Sequence, residues 1–98
     1  MYRVILTSKS LDDLERIEGF IAMKSSAATA QRYVSSIRRF CETLRIAPHR
    51  GEPRAHLRKG LRSIGFKKRV SISFRVSDSK KTVSVARIWY AGYQGKSE

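Results

Sequence analysis

The sequence has little cysteine, little proline and no long apolar run. Its single cysteine cannot form an intramolecular disulfide, which excludes a disulfide-stapled scaffold and suits a reducing compartment. No apolar segment approaches the ~18 residues that a membrane-spanning helix needs. The first residues also lack a basic region followed by an apolar stretch and a cleavage site, so we expect no secretory signal. We therefore predict a soluble cytoplasmic protein with no membrane partner.

Acidic residues are also scarce. Eight Asp and Glu side chains stand against 21 Lys and Arg, which gives a formal charge of +13. The imbalance lies in the second half, because residues 50–98 carry thirteen basic and three acidic side chains, whereas residues 1–49 carry eight and five. Such a field attracts a polyanion, either nucleic acid or an acidic protein segment. The length predicts one domain over residues 1–98, and the 41% apolar content argues against a disordered basic tail.

The first half of the chain contains one strand pattern and two helix patterns. Residues 2–7 are β-branched and apolar, and they predict a strand that is buried on most of its surface. Ser10 followed by Asp13 resembles a capping box at the start of a first helix, whose apolar stripe consists of Leu11, Leu14, Ile17 and Ile21. Ser25 and Ser26 are candidate caps for a second helix. The stripe of that helix consists of Ala30, Tyr33, Ile37, Phe40 and Leu44, with Val34 and Cys41 beside it.

After a basic loop, the second half contains three strand patterns, over residues 61–66, 69–76 and 82–90. The middle one alternates strictly, and its apolar face consists of Val70, Ile72, Phe74 and Val76. The last is apolar on both faces, which indicates an interior strand or one with a β-bulge. This order predicts an α+β domain, βααβββ, in which a helical hairpin packs on one face of a small, mainly antiparallel sheet. The other face of the sheet would stay open.

The open side of the predicted sheet carries the candidate binding residues. Arg69 and Arg75 alternate with the apolar residues of their strand, so they project away from the helices. Arg62 and Arg87 could join them from neighbouring strands, but the pattern leaves their facing open. Arg87 interrupts an apolar strand, so its guanidinium needs a carboxylate, a phosphate or solvent as a partner. Trp89 either stacks on nucleic-acid bases or closes the edge of the core, and we favour the core.

The sequence shows no standard catalytic or metal-binding constellation. His49 and His56 lie in a loop without a ligand pattern, so we expect no metal and no cofactor. Cys41 lies on the apolar stripe of the second helix, which predicts a buried and unreactive thiol. The glycines do not have the spacing of a phosphate-binding loop. Nuclease chemistry, if present, would rest on Arg, Lys, Tyr and His side chains.

Five stretches together resemble the ParE/RelE superfamily of bacterial toxins from type II toxin–antitoxin modules. They are residues 13–17 with Phe20-Ile21, Ala30 through Leu44, Pro48 with Gly51, residues 60–62, and residues 73–76 leading to 83–88. The resemblance spans essentially the whole chain. It implies the βααβββ fold and a hetero-oligomer with a cognate antitoxin, whose acidic or amphipathic C-terminal segment lies on the toxin. By that implication, the antitoxin-binding residues are Arg62, Arg69, Arg75, Arg87 and Trp89.

The superfamily has two main activities, and the resemblance implies one of them. ParE-like members are not nucleases and poison DNA gyrase, whereas RelE-like members cleave mRNA in the ribosome. The run from the second helix to Gly60-Leu61-Arg62 is more similar to ParE, which favours a gyrase inhibitor without catalytic residues. The alternative is a ribosome-dependent mRNA interferase, whose catalytic residues would be Arg62, Arg75, Arg87, Tyr90 and Tyr93. A basic nucleic-acid-binding domain without toxicity is a third hypothesis.

Overall fold

The computed structural model describes residues 1–91 and shows the predicted order of elements with one addition. The elements are β1 (Arg3–Leu6), α1 (Ser8–Lys24), α2 (Ala27–Glu42), a 3₁₀ turn (Thr43–Arg45), β2 (Glu52–Pro53), β3 (Leu61–Phe66), β4 (Val70–Ser77) and β5 (Thr82–Tyr90). The addition is β2, which lies inside the segment that was predicted to be loop. It pairs with β3 at the edge of the sheet, where a strand tolerates the missing N–H of Pro53.

The first helix begins earlier than its sequence pattern predicts. Thr7 is the N-cap, and its Oγ1 accepts a hydrogen bond from the backbone N of Ser10 at 3.2 Å. The same hydroxyl donates to the carbonyl of Val85 at 2.8 Å, so the cap also ties the helix to β5. The predicted cap at Ser10 is therefore wrong, since Ser10 and Asp13 lie inside the helix and are buried. Leu11 lies at the margin of the buried stripe and is 41% exposed.

The second helix lies where its pattern predicts, but its buried stripe is shifted, because Val34 and Cys41 are buried whereas Tyr33 and Phe40 are only partly buried. Ser26 is the N-cap and accepts a hydrogen bond from the backbone N of Thr29 at 3.1 Å, which confirms one of the two candidate caps. The buried stripe continues into the 3₁₀ turn and consists of Ala30, Val34, Ile37, Cys41 and Leu44. The two helices cover one face of the sheet, as predicted, and the core lies between them and the strands.

Five strands form one mixed sheet in the order β1-β5-β4-β3-β2. β1 runs parallel to β5, and the other neighbours are antiparallel. As an edge strand, β1 alternates between exposed and half-buried residues, so the prediction of a strand buried on most of its surface is wrong. Val4 and Leu6 pack on the core, whereas Ile5 points to the uncovered side and is 38% exposed.

β5 contains a bulge, which was one of the two explanations for its mixed pattern. Val85 pairs with Phe74, whereas Arg87 pairs with Ser73, which makes Ala86 an extra residue on β5. One extra residue reverses the alternation of the side chains that follow it. The side chains of β5 that point away from the helices after the bulge are Arg87 and Trp89.

Candidate functional site

The uncovered side of the sheet presents hydroxyl groups and arginines, and we call it the open face. Register fixes which side chains share it, because Arg75 lies opposite Ser84, and Ser73 lies opposite both Arg87 and Ser63. The open face includes Arg3, Ile5, Leu61, Ser63, Ser71, Ser73, Arg75, Ser77, Thr82, Ser84, Arg87 and Trp89. Guanidinium and hydroxyl groups are donors that suit carboxylates and phosphates. The surface is therefore chemically suited to an anionic partner.

Arg75 lies in the middle of the open face. Its neighbours in register are Leu61 on β3 and Ser84 on β5. Arg75 is exposed and forms no ion pair with another residue in the range 1–91. Beside it lies a shallow groove of about 270 Å³, lined by Arg75, Val76, Ser77, Lys80, Thr82 and Ser84. Two cations over a row of hydroxyls can hold a carboxylate through the planar fork of the arginine.

Arg87 has a carboxylate as its partner, one of the three possibilities left by the sequence. Its Nε donates to Oδ2 of Asp13 at 2.9 Å, and its Nη2 donates to Oδ1 at 3.0 Å. The backbone N of Ile88 also donates to Oδ2, at 2.8 Å. β1 pairs with β5 only as far as Val85, so the Ile88 N–H lies past the end of β1 and finds its acceptor on α1. The Asp13 carboxylate therefore joins α1 to the strand just after the bulge.

The two partners of this ion pair differ in burial. Asp13 is 2% exposed, whereas the Arg87 side chain keeps 55% of its surface accessible. Burial alone would raise the pKa of Asp13, but the hydrogen bonds from Arg87 and Ile88 and the nearby positive charges outweigh it and lower the pKa below its ordinary value. The carboxylate is thus ionised at neutral pH. Arg87 thus forms an ion pair with a residue of α1, whereas Arg75 forms none within residues 1–91.

Trp89 lies on the open face, so the interpretation that placed it in the core is wrong. It pairs with Ser71 and is 45% exposed. The physical reason is the bulge at Ala86, which shifts the alternation of β5. A signal for this shift is present in the sequence, because the apolar positions Val83, Val85, Ile88 and Tyr90 change their step from two to three. A large exposed ring beside cations is typical of the centre of a protein interface.

Arg62 lies on the other side of the sheet. It pairs with Phe74, whose side chain faces the helices. Its Nε donates to the carbonyl of Arg50 at 2.9 Å, and its Nη2 donates to those of His49 at 2.8 Å and Gly51 at 3.4 Å. The guanidinium thereby fixes the segment that leads into β2. It is not brought together with the arginines of the open face.

The remaining predicted residues are also spread over the molecule. Tyr90 points to the helical side, where its ring lies 5.7 Å from that of Tyr33 and 6.1 Å from that of Phe20. Arg69 lies in the β3–β4 turn, where it is exposed and its backbone pairs with Lys67 and Ala91. Tyr93 lies outside the described residues. The set that would line an mRNA interferase cleft is therefore not gathered at one place among residues 1–91, and its catalytic role stays a prediction.

Comparison with known proteins identifies the family. Residues 4–93 match the family model for the ParE toxin of the type II toxin–antitoxin system parDE. The chain belongs to the ParE toxin family. No curated protein sequence matches it. Among solved structures, the chromosomal ParDE toxin–antitoxin system of P. aeruginosa is similar, with a TM-score of 0.78, 22% identity, and 92% of this chain and 96% of that chain covered. The toxin–antitoxin complex RelBE2 of Mycobacterium tuberculosis is similar with a TM-score of 0.67, 18% identity, and 91% and 96% covered.

This ParE-family chain contains a second polar cluster, which the sequence did not indicate. The hydroxyl of Tyr2 donates to Oδ1 of Asp78 at 2.6 Å, and Nε2 of His49 lies 2.9 Å from the same oxygen. The hydrogen bond from Tyr2 is the main cause of the lowered pKa of Asp78, and it raises the pKa of Tyr2. The three residues come from the start of the chain, the loop before β2 and the β4–β5 turn. Only the folded sheet brings them together.

The chemistry of this cluster is limited by its surroundings. A carboxylate that orients an imidazole can support proton transfer. His49 and Asp78 line a groove of about 220 Å³ together with Arg62, the cation that charge stabilisation would need. The Arg62 guanidinium is bonded to three backbone carbonyls, so it is not available to stabilise a developing charge. We therefore interpret the cluster as a structural contact that holds the loop before β2 against the sheet.

Within residues 1–91, no three His, Cys, Asp or Glu side chains are grouped so that they could hold a metal ion. No helix in that range is both long and apolar enough to cross a membrane. Cys41 is buried, as predicted, and burial raises the pKa of its thiol to about 11.

Proposed function

We propose that this chain acts in the cytoplasm as a ParE-like inhibitor of DNA gyrase and that a cognate antitoxin neutralises it. The observation that carries the proposal is the family match over residues 4–93. The open face supports it, because a broad surface of cations, hydroxyls and an exposed indole suits the binding of another macromolecule. Inhibition by protein binding needs neither a catalytic residue nor a cofactor.

The antitoxin segment that we propose lies across the open face and carries acidic residues. Arg75 is its main anchor, since this guanidinium has no ion pair within residues 1–91 and lies beside Lys80. Trp89 supplies the apolar contact, and Arg87 contributes from its position beside Asp13. The similar structures come from a ParDE toxin–antitoxin system and a RelBE2 toxin–antitoxin complex, which supports a hetero-oligomer.

The cellular target is tested by comparing two assays on the same preparation. The purified chain is added to a gyrase supercoiling reaction, and in parallel to a translating extract in which mRNA cleavage is mapped. We expect inhibited supercoiling and intact messages. Cleaved messages together with unaffected gyrase would identify a ribosome-dependent mRNA interferase and refute the proposal.

The antitoxin site is tested with Arg75→Ala and a matched control. Arg38→Ala removes the same charge from an exposed position on α2, away from the open face. If the arginine becomes buried in an ion pair on complex formation, Arg75→Ala weakens antitoxin binding by ~2–5 kcal/mol, which is roughly 30-fold to several thousand-fold in Kd. The measurement is titration calorimetry with the antitoxin encoded beside the toxin gene. An unchanged Kd, or an equal loss in the control, contradicts this placement.

A further inference from the structure

A second basic surface lies on the helical side of the molecule. We call it the α2 groove, and it is a depression of about 370 Å³ lined by Thr29, Arg32, Tyr33, Ser36, Arg39 and Lys67. A neighbouring depression of about 330 Å³ shares two of these residues and adds Gln31 and Ser35. The lining side chains are cationic or carry a polar group. The surface differs from the open face, which lies on the strands.

The positive charge of the α2 groove is not neutralised within the described chain. Arg32 and Arg39 are exposed, and neither forms an ion pair with another residue of the range 1–91. They are seven residues apart, so they lie on the same side of the helix and ~10 Å from each other along its axis. The helix has no acidic residue before Glu42. At this separation, the two arginines can each contact a different anionic group of the same ligand.

A third cation reaches the α2 groove from the sheet. Nζ of Lys67 lies 5.3 Å from the ring centre of Tyr33 and 5.4 Å from that of Phe66. Lys67 and Lys68 form the β3–β4 turn with φ of 55° and 66°, a conformation for which hairpins favour glycine or asparagine. Lys67 therefore adopts a positive φ that is unfavourable for lysine, and its side chain lines the α2 groove.

The Tyr33 hydroxyl lies beneath the α2 groove and not on its surface. The hydroxyl of Tyr33 is buried and has no hydrogen-bond partner among residues 1–91. A ligand in the groove does not reach this buried group, so the hydroxyl is no part of the binding surface. The three positive charges of Arg32, Arg39 and Lys67 are what suit an oxyanion.

We propose that the α2 groove binds the phosphate backbone of duplex DNA. The open face combines its cations with the exposed ring of Trp89, which suits a protein partner, whereas no exposed large apolar side chain lines the α2 groove. A single strand would need exposed aromatic rings on which bases stack, but the Tyr33 ring is covered by Lys67 and packed against Tyr90. Arginine, lysine and hydroxyl side chains are the groups that contact the phosphates of nucleic acids without reading their sequence. The choice of DNA over RNA rests on the proposed gyrase target, because gyrase acts on duplex DNA.

The test uses the whole chain and a fluorescein-labelled 20-base-pair DNA duplex of mixed sequence, with binding read from anisotropy. Each phosphate contact contributes ~0.9 to the salt slope of log K, so at 0.1 M salt the loss of two contacts weakens binding by about 60-fold. We expect that loss in Arg32→Gln/Arg39→Gln. The matched control is Arg58→Gln/Lys59→Gln, which removes the same charge from exposed loop residues outside the groove. An equal loss in the control would assign binding to net charge alone and overturn the proposal.

Lys67→Asn separates binding from folding. Asparagine tolerates a φ of 55° better than lysine, which offsets the lost contacts of the ammonium with the Tyr33 and Phe66 rings. The thermal midpoint should therefore change little, whereas DNA binding weakens by about 8-fold through the loss of one contact. Unchanged DNA binding overturns the role of Lys67 in the groove. A duplex RNA of the same sequence forms the second arm, and tenfold tighter binding of RNA overturns the choice of DNA.

The same preparations are added to the supercoiling reaction, which distinguishes this inference from the proposed function. DNA binding that depends on Arg32 and Arg39 with unaffected gyrase supports the α2 groove and contradicts gyrase inhibition. Inhibited gyrase with DNA binding that does not depend on these arginines contradicts the α2 groove alone.

Discussion

The link between Asp13 and Arg87 yields the sharpest prediction about stability. The carboxylate accepts hydrogen bonds from Arg87 Nε at 2.9 Å, from Arg87 Nη2 at 3.0 Å and from the backbone N of Ile88 at 2.8 Å. Asp13→Asn preserves the shape but removes the charge and one of the two acceptor oxygens. The remaining oxygen can still accept from Arg87 Nε and from the Ile88 N–H, which both bond Oδ2, but the NH₂ group takes the place of Oδ1 and faces the Nη2 donor of Arg87. One hydrogen bond is therefore lost, and the other two lose their charged acceptor.

The magnitude of this loss follows from the burial of each partner. The Arg87 side chain is 55% exposed, so water replaces most of what it loses and its share is ~0.5–1 kcal/mol. The Ile88 N–H is buried, and replacing its charged acceptor by a neutral one costs about 0.5–1 kcal/mol. We therefore expect Asp13→Asn to lower the free energy of unfolding by about 1–2 kcal/mol, or roughly 5–15 °C in Tm for a domain of this size.

The assay is guanidinium unfolding at pH 7, with Asp12→Asn as the matched control. Asp12 is the exposed neighbour of Asp13 on the same helix, and its substitution should change stability by less than ~0.5 kcal/mol. If the two variants unfold at the same denaturant concentration, the three hydrogen bonds do not stabilise the fold and the reasoning is refuted.

The pH dependence checks the same link from another direction. The folded-state pKa of Asp13 is lowered, so its contribution is complete above the unfolded-state value of about 4 and is lost as pH falls through the folded-state pKa. The stability difference between the wild type and Asp13→Asn should therefore shrink below about pH 4. A difference that stays constant in acid would contradict this assignment.

Two further predictions concern the loop before β2 and the buried thiol. Gly51 has a φ of 77°, and an added Cβ would lie 2.3 Å from the carbonyl oxygen of Ser63, so Gly51→Ala should destabilise by ~2–4 kcal/mol in thermal unfolding. At Gly60, with a φ of 80°, the nearest atom is 3.3 Å away, and Gly60→Ala should cost only ~1 kcal/mol; equal losses would contradict the steric argument. Cys41 is buried with a thiol pKa raised to about 11, so Ellman's reagent at pH 8 should label it only after unfolding, and rapid labelling of the native protein would contradict its burial.

Local patterns in the sequence predicted the parts of the fold that local physics determines. The alternation of residues 70–76 and the helical stripe from Ala30 to Leu44 lie where they were expected, because a two-layer core requires those periodicities. Arg69 was predicted to belong to the same strand, but it lies in the turn before it. The cap at Ser26 was found for the same reason, since capping depends on near neighbours in sequence.

The errors arise where contacts between distant residues decide the outcome. Thr7 replaces Ser10 as the helix cap partly because its hydroxyl also bonds to Val85, which is 78 positions away. Trp89 was misplaced because one extra residue in β5 turns it outward. Asp13 looked like an acid at a helix start, whereas its partner Arg87 is 74 positions away in the sequence. No spacing rule within a single sequence indicates such a pair.

The place of β5 in the sheet has a consequence for the order of events during synthesis. β5 is the last strand in the described chain, yet it lies between β1 and β4 and is the sheet partner of β1. β1 leaves the ribosome well before β5 and cannot pair until β5 has been made, and pairing across so long a separation is slow. Arg87, Trp89 and the bulge all belong to this strand. The open face of a nascent chain thus remains incomplete until β5 has been translated, so a producing cell meets the finished surface only after that strand has left the ribosome.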